Sequence, residues 1–221
     1  MSKISRIQVS LKMEEQGLVP VFYHRDLDVC KQILHACYKG GNRIFEYTNR
    51  GEFAHRNFHE LVKYVDAELP EMILGAGSIM DAGTAALYIQ EGADFIVSPV
   101  LKKSIAKTCN SRKILWIPGC GTVTEISNAE ESGAEIVKAF PGSVLGPEFI
   151  KGVKGPMPWT KIMVTGGVEP TEESIRTWFS AGAICVGMGS QLISAQFVKE
   201  KKFTELERLV KQTLELIKKY K

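Results

Sequence analysis

The chain has 221 residues, with 28 basic against 25 acidic side chains and a formal charge of +3; at about 150 residues per domain, one large domain over residues 1–221 is expected. A hydrophobic content of 44% with mixed charges argues against a disordered chain, and no apolar run approaches the roughly 20 residues of a membrane span. The charge is too small, and its lysines too dispersed, for a nucleic-acid binder.

The opening stretch Met1–Arg6 lacks the apolar core and cleavage site of a secretory signal, and an N-terminal helix is expected ahead of the first strand. Leu18–Tyr23 reads as that strand. Asp26 is an N-cap for a helix with Leu27, Cys30, Ile33, Leu34 and Cys37 on one face. A second strand, Arg43–Tyr47, precedes a helix carrying Phe58, Leu61, Val62, Val65 and Leu69, which Pro70 stops. Strands follow at Met72–Ala76, Phe95–Ser98 and Ile114–Pro118, and Thr122-x-x-Glu125 has capping-box spacing for the next helix. The last strands are Ile136–Phe140, Lys161–Thr165 and Ala183–Gly187. Lys199–Lys221 reads as one terminal amphipathic helix, with Phe203, Leu206, Val210, Leu214 and Ile217 in a stripe. Gly92, Gly133 and Gly182 each stand where a helix ends and a strand begins, as the left-handed helix terminus requires.

Eight strands alternating with helices predict a single (β/α)8 TIM barrel, and about 200 residues is near its lower limit. An open doubly wound sheet is the competitor. Its signature is weak, since Gly75-Ala76-Gly77 and Gly187-Met188-Gly189 both lack the third Gly of GxGxxG. In a barrel, chemistry gathers at the C-terminal ends of the strands. Lys138 alternates with Ile136 and Phe140, so the three share one face of the sixth strand. That face is the interior or the helix layer, and desolvation in either frees a lysine amine as a nucleophile toward a carbonyl. A lysine near a strand end whose head reaches water fits the spacing equally well. Glu46, on the second strand, is the natural proton carrier beside an imine, or else the partner of Arg43 or Arg50. Arg50 has the planar fork suited to a carboxylate, though an exposed loop charge is the simpler reading. Thr165-Gly166-Gly167 and Gly189-Ser190, after strands seven and eight, offer side-chain-free backbone to a phosphate. Tight turns also need Gly.

Five cysteines, an odd number without CxxC spacing, suggest neither disulfides nor zinc and read as reduced thiols of a cytoplasmic protein. Cys120, near the pocket mouth, reads as packing. His55 and His59 lack the HExxH glutamate and read as surface; His35 reads as helical surface, and His24 is a candidate to line the pocket. Without a dense His/Asp/Glu cluster, no metal and no cofactor is expected.

These residues together resemble the family of 2-keto-3-deoxy-6-phosphogluconate (KDPG) and 4-hydroxy-2-oxoglutarate (KHG) aldolases. The resemblance rests on Glu46-Tyr47-Thr48-Asn49-Arg50, Gly75-Ala76-Gly77-Ser78, Val97-Ser98-Pro99, Ile117-Pro118-Gly119, Val137-Lys138-Ala139-Phe140-Pro141, Thr165-Gly166-Gly167-Val168 and Gly189-Ser190, in family order over roughly residues 17–195. It implies a metal-independent class I aldolase that cleaves a 2-keto-4-hydroxy acid to pyruvate and an aldehyde. Lys138 would form the Schiff base and Glu46 serve as general acid/base. Arg50 and Ser78 would hold the pyruvate carboxylate, and Pro99 and Phe140 would shape the pocket. Thr165, Gly166, Gly167, Gly189 and Ser190 would receive the distal end, and the assembly would be a homotrimer. The family commonly has Thr at Ser78, Leu at Asn49, Pro at Val164 and Gly at Met188. Val164 and Met188 would then influence the distal-group preference, and Asn49 would add a polar contact near the substrate. The other readings are a phosphate-binding barrel isomerase or decarboxylase with a cationic Lys138, or a non-catalytic sugar-phosphate binder.

Overall fold

A computed structural model describes residues 3–221; Met1 and Ser2, the start of the stretch read for a secretory signal, lie outside the described residues. Eight parallel strands close into a barrel in sequence order: β1 (Leu18–Phe22), β2 (Ile44–Thr48), β3 (Ile73–Gly77), β4 (Phe95–Ser98), β5 (Leu115–Cys120), β6 (Val137–Ala139), β7 (Ile162–Thr165) and β8 (Cys185–Met188). The closed order decides against the open sheet. β1 pairs with both β2 and β8, so no strand edge is left to be covered.

The helices form the outer layer: α2 (Leu27–Lys39), α3 (Ala54–Glu68), α4 (Ala82–Gln90), α5 (Lys103–Ser111), α6 (Val123–Glu131), α7 (Gly142–Lys154) and α8 (Glu172–Ser180), following α1 (Arg6–Gln16). Asp26 caps α2 by accepting from the Asp28 and Val29 amides. Thr122 accepts from the Glu125 amide, while the Glu125 carboxylate accepts from the Gly121 amide. The capping pair forms, displaced by one residue on its return leg. Gly92, Gly133 and Gly182 take φ of +106°, +88° and +104°, a conformation expensive for any side chain.

The expected N-terminal helix is α1, held by a Ser5–Gln8 capping box. Its Val9 and Met13 join Val19, Ile44, Ile73, Phe95, Val97, Leu115, Ile117, Ile136, Met163 and Cys185 in one apolar cluster. Those strand residues are the inward-facing set, so α1 plugs one mouth of the barrel and leaves the other to the functional loops. The terminal helix differs from the expectation. The stretch breaks after a short α9 (Ala195–Lys199) and resumes as α10 (Phe203–Tyr220). Lys201 lies between them at φ +52°, a left-handed turn that ends one helix before the next begins. α10 still buries Leu206, Val210 and Ile217 along its stripe.

Candidate active site

Strand parity brings the polar residues to the barrel axis. Ile44 of β2 and Ile136 beside β6 pack in the interior cluster, so Glu46 and Lys138, two positions on, face the same interior. Glu46 is 1% exposed and Lys138 6% exposed. The Lys138 ammonium stands 4.8 Å from the centroid of the Phe140 ring. No hydrogen bond or ion pair joins it to Glu46 among the described residues, and Glu46 Oε2 is buried without a hydrogen-bond partner. Burial pushes the Lys138 pKa down against the opposing pull of Glu46, and Arg50 adds to the depression. Burial pushes the Glu46 pKa up, while the two cations resist. Burial thus disfavours the charged form of each group, while each ion makes the other's charge less costly, so a proton is easily moved onto or off either one.

The room for Glu46 comes from a glycine. An added Cβ on Gly77 would overlap Glu46 Oε1 and lie 2.5 Å from its Cδ. The Glu46 side chain therefore leans along the barrel across Gly77. Its suggested ion-pair partner Arg43 is elsewhere, stacked 3.9 Å over the Tyr38 ring and beside Glu71.

Above this pair opens a cavity of about 780 Å³. Its wall includes Arg50, Phe140, Thr165, Gly166, Gly167, Gly189 and Ser190, all singled out from the sequence, together with Thr48 and His24. Thr48 and Phe140 stand one inward position beyond Glu46 and Lys138, which puts the buried pair directly beneath the cavity floor. Arg50 Nε donates to Ser78 Oγ at 3.4 Å, and Ser78 is held at φ +59° after β3. Pro99 is not part of the cavity wall; its carbonyl lies against Gly119 of β5, where an added Cβ would overlap it. Gly166 and Gly167 have φ of +92° and +76°, and a Cβ on Gly167 would lie 2.7 Å from Ser143 Cβ. The turn itself therefore demands Gly there, and its backbone lines the cavity as well.

Three substitutions relative to the resemblance fall away from the site. Val164 and Met188 are buried in the outer core between strands and helices, because their neighbours Thr165 and Gly187 take the inward positions. Asn49 accepts a hydrogen bond from the Tyr88 hydroxyl at 3.0 Å, so its polar group serves the β2–α4 packing and not the cavity. Cys120 packs in the same outer core, and burial pushes its thiol up to about 12. His59 pairs with Glu91 at 2.5 Å on the surface, and His35 Nδ1 lies 2.8 Å from the Tyr64 hydroxyl. The His24 ring accepts from the Asp26 amide at Nδ1, so the neutral ring carries its proton on Nε2. Wall residues that drew no functional reading from the sequence include Tyr23, just past the end of β1, and Gln191, Ile193, Ala195, Val198 and Lys199 of the segment after β8 and α9. The wall holds the cations Arg50 and Lys199 and no carboxylate.

A (β/α)8 barrel with its polar residues converging on one mouth, above a buried lysine and carboxylate, defines the class: a barrel enzyme for small-molecule substrates. The family model for KDPG and KHG aldolases matches residues 9–209, and the chain belongs to that family of carbon–carbon lyases. A 2-dehydro-3-deoxy-phosphogluconate aldolase from Haemophilus influenzae is 29% identical over 212 residues, covering 96% of this chain and 97% of the relative. The KHG/KDPG aldolase of Escherichia coli K12 is 28% identical over 200 residues, 90% of this chain and 91% of the relative. A 2-dehydro-3-deoxy-6-phosphogalactonate aldolase from the same strain is 30% identical over 158 residues, 71% and 73% of the two chains. In fold, the chain matches a KDPG aldolase from Legionella pneumophila, solved with pyruvate captured as a covalent carbinolamine, with a TM-score of 0.84 at 22% identity over 92% of this chain and 97% of that one. No helix among the described residues is long and apolar enough to cross a membrane.

Proposed function

We propose that this chain, as one barrel domain over residues 1–221, is a class I aldolase that cleaves KDPG, and KHG as a shorter substrate, to pyruvate and an aldehyde through a Lys138 Schiff base. The observation that carries the reading is the buried Lys138 amine, driven toward its neutral form beneath the cavity floor beside Glu46. A neutral amine attacks the C2 ketone to give a carbinolamine; Glu46 protonates the departing hydroxyl, which leaves as water, so the iminium that takes up the C3–C4 cleavage electrons forms beside Glu46 as its carboxylate. Glu46 accepts the C4 hydroxyl proton as that bond breaks, and the aldehyde leaves. Proton return to C3 of the enamine and hydrolysis then release pyruvate and regenerate Lys138.

Arg50 and Ser78, already in contact, suit the substrate carboxylate. Phe140 packs beside the reacting amine, and Pro99 supports the β4 end of the site from behind. Thr165, Gly166, Gly167, Gly189 and Ser190 line the end suited to the distal phosphate, and the carboxylate-free wall with Lys199 favours a dianionic ligand. The reaction needs no metal or cofactor. A homotrimer belongs to the same proposal, with exposed Phe53, Met80, Val123 and Val144 near the strand-end rim as apolar surface for a second copy to cover. Cytoplasmic residence fits a chain of five free buried cysteines.

Borohydride reduction in the presence of pyruvate tests the central step. A covalent pyruvate adduct is expected on Lys138 by peptide mass spectrometry, with none on Lys138→Met. Wild-type protein that cleaves KDPG and is never trapped would refute the Schiff base.

A further inference from the structure

Glu46, Thr48 and Arg50 occupy successive inward positions along and just beyond β2, and the middle one has no role in the scheme above. Thr48 is 1% exposed, yet it forms part of the cavity wall. Its Oγ1 is buried without a hydrogen-bond partner, as is Glu46 Oε2. A buried hydroxyl left unpaired is costly, a cost that an isosteric valine would not carry. Register brings the two groups together. The Glu46 side chain leans across Gly77, and Gly77 is the β3 partner of Thr48, so the Glu46 carboxylate ends in the Thr48 layer.

Glu46 and Lys138 both lie beneath the cavity wall; a substrate bonded to Lys138 at C2 carries its C4 hydroxyl two carbons further up the cavity, past the Thr48 layer. A single water spans the gap back to Glu46 if it finds two to four polar partners. Glu46 Oε2, Thr48 Oγ1 and the substrate C4 hydroxyl supply three. A threonine hydroxyl both donates and accepts, so it can hold the water while the proton moves in either direction.

We propose that Thr48 is a positioning residue for aldol cleavage: it holds the water that carries the proton between the substrate C4 hydroxyl and Glu46. The inference rests on the aldolase reading above. In cleavage the C4 hydroxyl gives its proton to this water, which passes one of its own to the Glu46 carboxylate. The C3–C4 bond electrons move onto the iminium and leave the neutral enamine. On the return, Glu46 gives the proton back through the same water to C3. Imine formation at Lys138 does not use this route.

The test pairs Thr48→Val with Thr48→Ser. Thr48→Val is expected to lower kcat for KDPG cleavage by about 10- to 100-fold, with KM within about twofold. Deuterium uptake into the pyruvate methyl group in heavy water, read by NMR, should fall in parallel, and borohydride trapping of pyruvate should persist. Thr48→Ser should restore both rates to within about threefold of wild type, and thermal melts should place both variants at or near wild-type stability. Wild-type rates in Thr48→Val, a Thr48→Ser as slow as Thr48→Val, or a rise in KM alone would overturn the relay. Loss of trapping in wild type would instead overturn the aldolase reading and the relay with it.

Discussion

Gly77→Ala isolates the contact on which the site is built. The new methyl would overlap Glu46 Oε1 and lie 2.5 Å from Cδ and 2.8 Å from Cγ, with Glu46 only 1% exposed and unable to swing into solvent. Overpacking of this kind costs about 1–3 kcal/mol. The β3 backbone at Gly77 does not take the left-handed conformation, so alanine also removes unfolded-state freedom worth about 0.4–1 kcal/mol. The net expectation is a loss of about 1–2 kcal/mol, or about 2–8 °C in Tm for a chain of this size. In a Glu46→Ala background the overlap vanishes and only the entropic gain of about 0.4–1 kcal/mol remains. Urea denaturation of the four proteins at pH 7 therefore gives a coupling energy of about 1–3 kcal/mol. A Gly77→Ala effect equal in both backgrounds would show that Glu46 does not lie over Gly77, and the geometry of the site would be wrong.

Lys138→Met should abolish cleavage and raise stability near neutral pH, because burial disfavours the ammonium. The unfolded lysine keeps its proton up to its ordinary value of 10.5, whereas the folded one loses it earlier, so protonation penalises the folded state at every pH below that value. The gain in Tm should therefore shrink as pH is raised toward about 10.5; a Tm difference independent of pH would contradict it. Lys199→Ala removes a partly solvated cation from the wall, so KM for KDPG should rise about two- to fivefold at low salt, with less effect at high salt. KM for unphosphorylated KHG should stay unchanged, and an equal rise for both substrates would remove Lys199 from the distal end.

Much of the site was legible because strand alternation is a local property of the chain. The grouping of Lys138 with Ile136 and Phe140 follows from spacing alone, as does the C-terminal end at which Glu46 and the glycine turns gather. The same parity carried information that family comparison obscures: Val164 lies between Met163 and Thr165, and Met188 follows inward Gly187, so both belong to the outer core. Asn49 falls between inward Thr48 and Arg50, so parity turns it outward as well, but only packing directs its amide to Tyr88.

Local pattern thus determined the count and order of strands, the caps, and which residues share a face. The tertiary structure decided which face is the interior. Closure of the barrel and the insertion of α1 turn the Lys138 face toward the axis, and desolvation there acts on charges the sequence could only group. The place of Lys199 in the cavity wall was hidden for the same reason: closure of β8 against β1 brings the segment after β8 to the same cavity as Tyr23 and Arg50, far away in the chain.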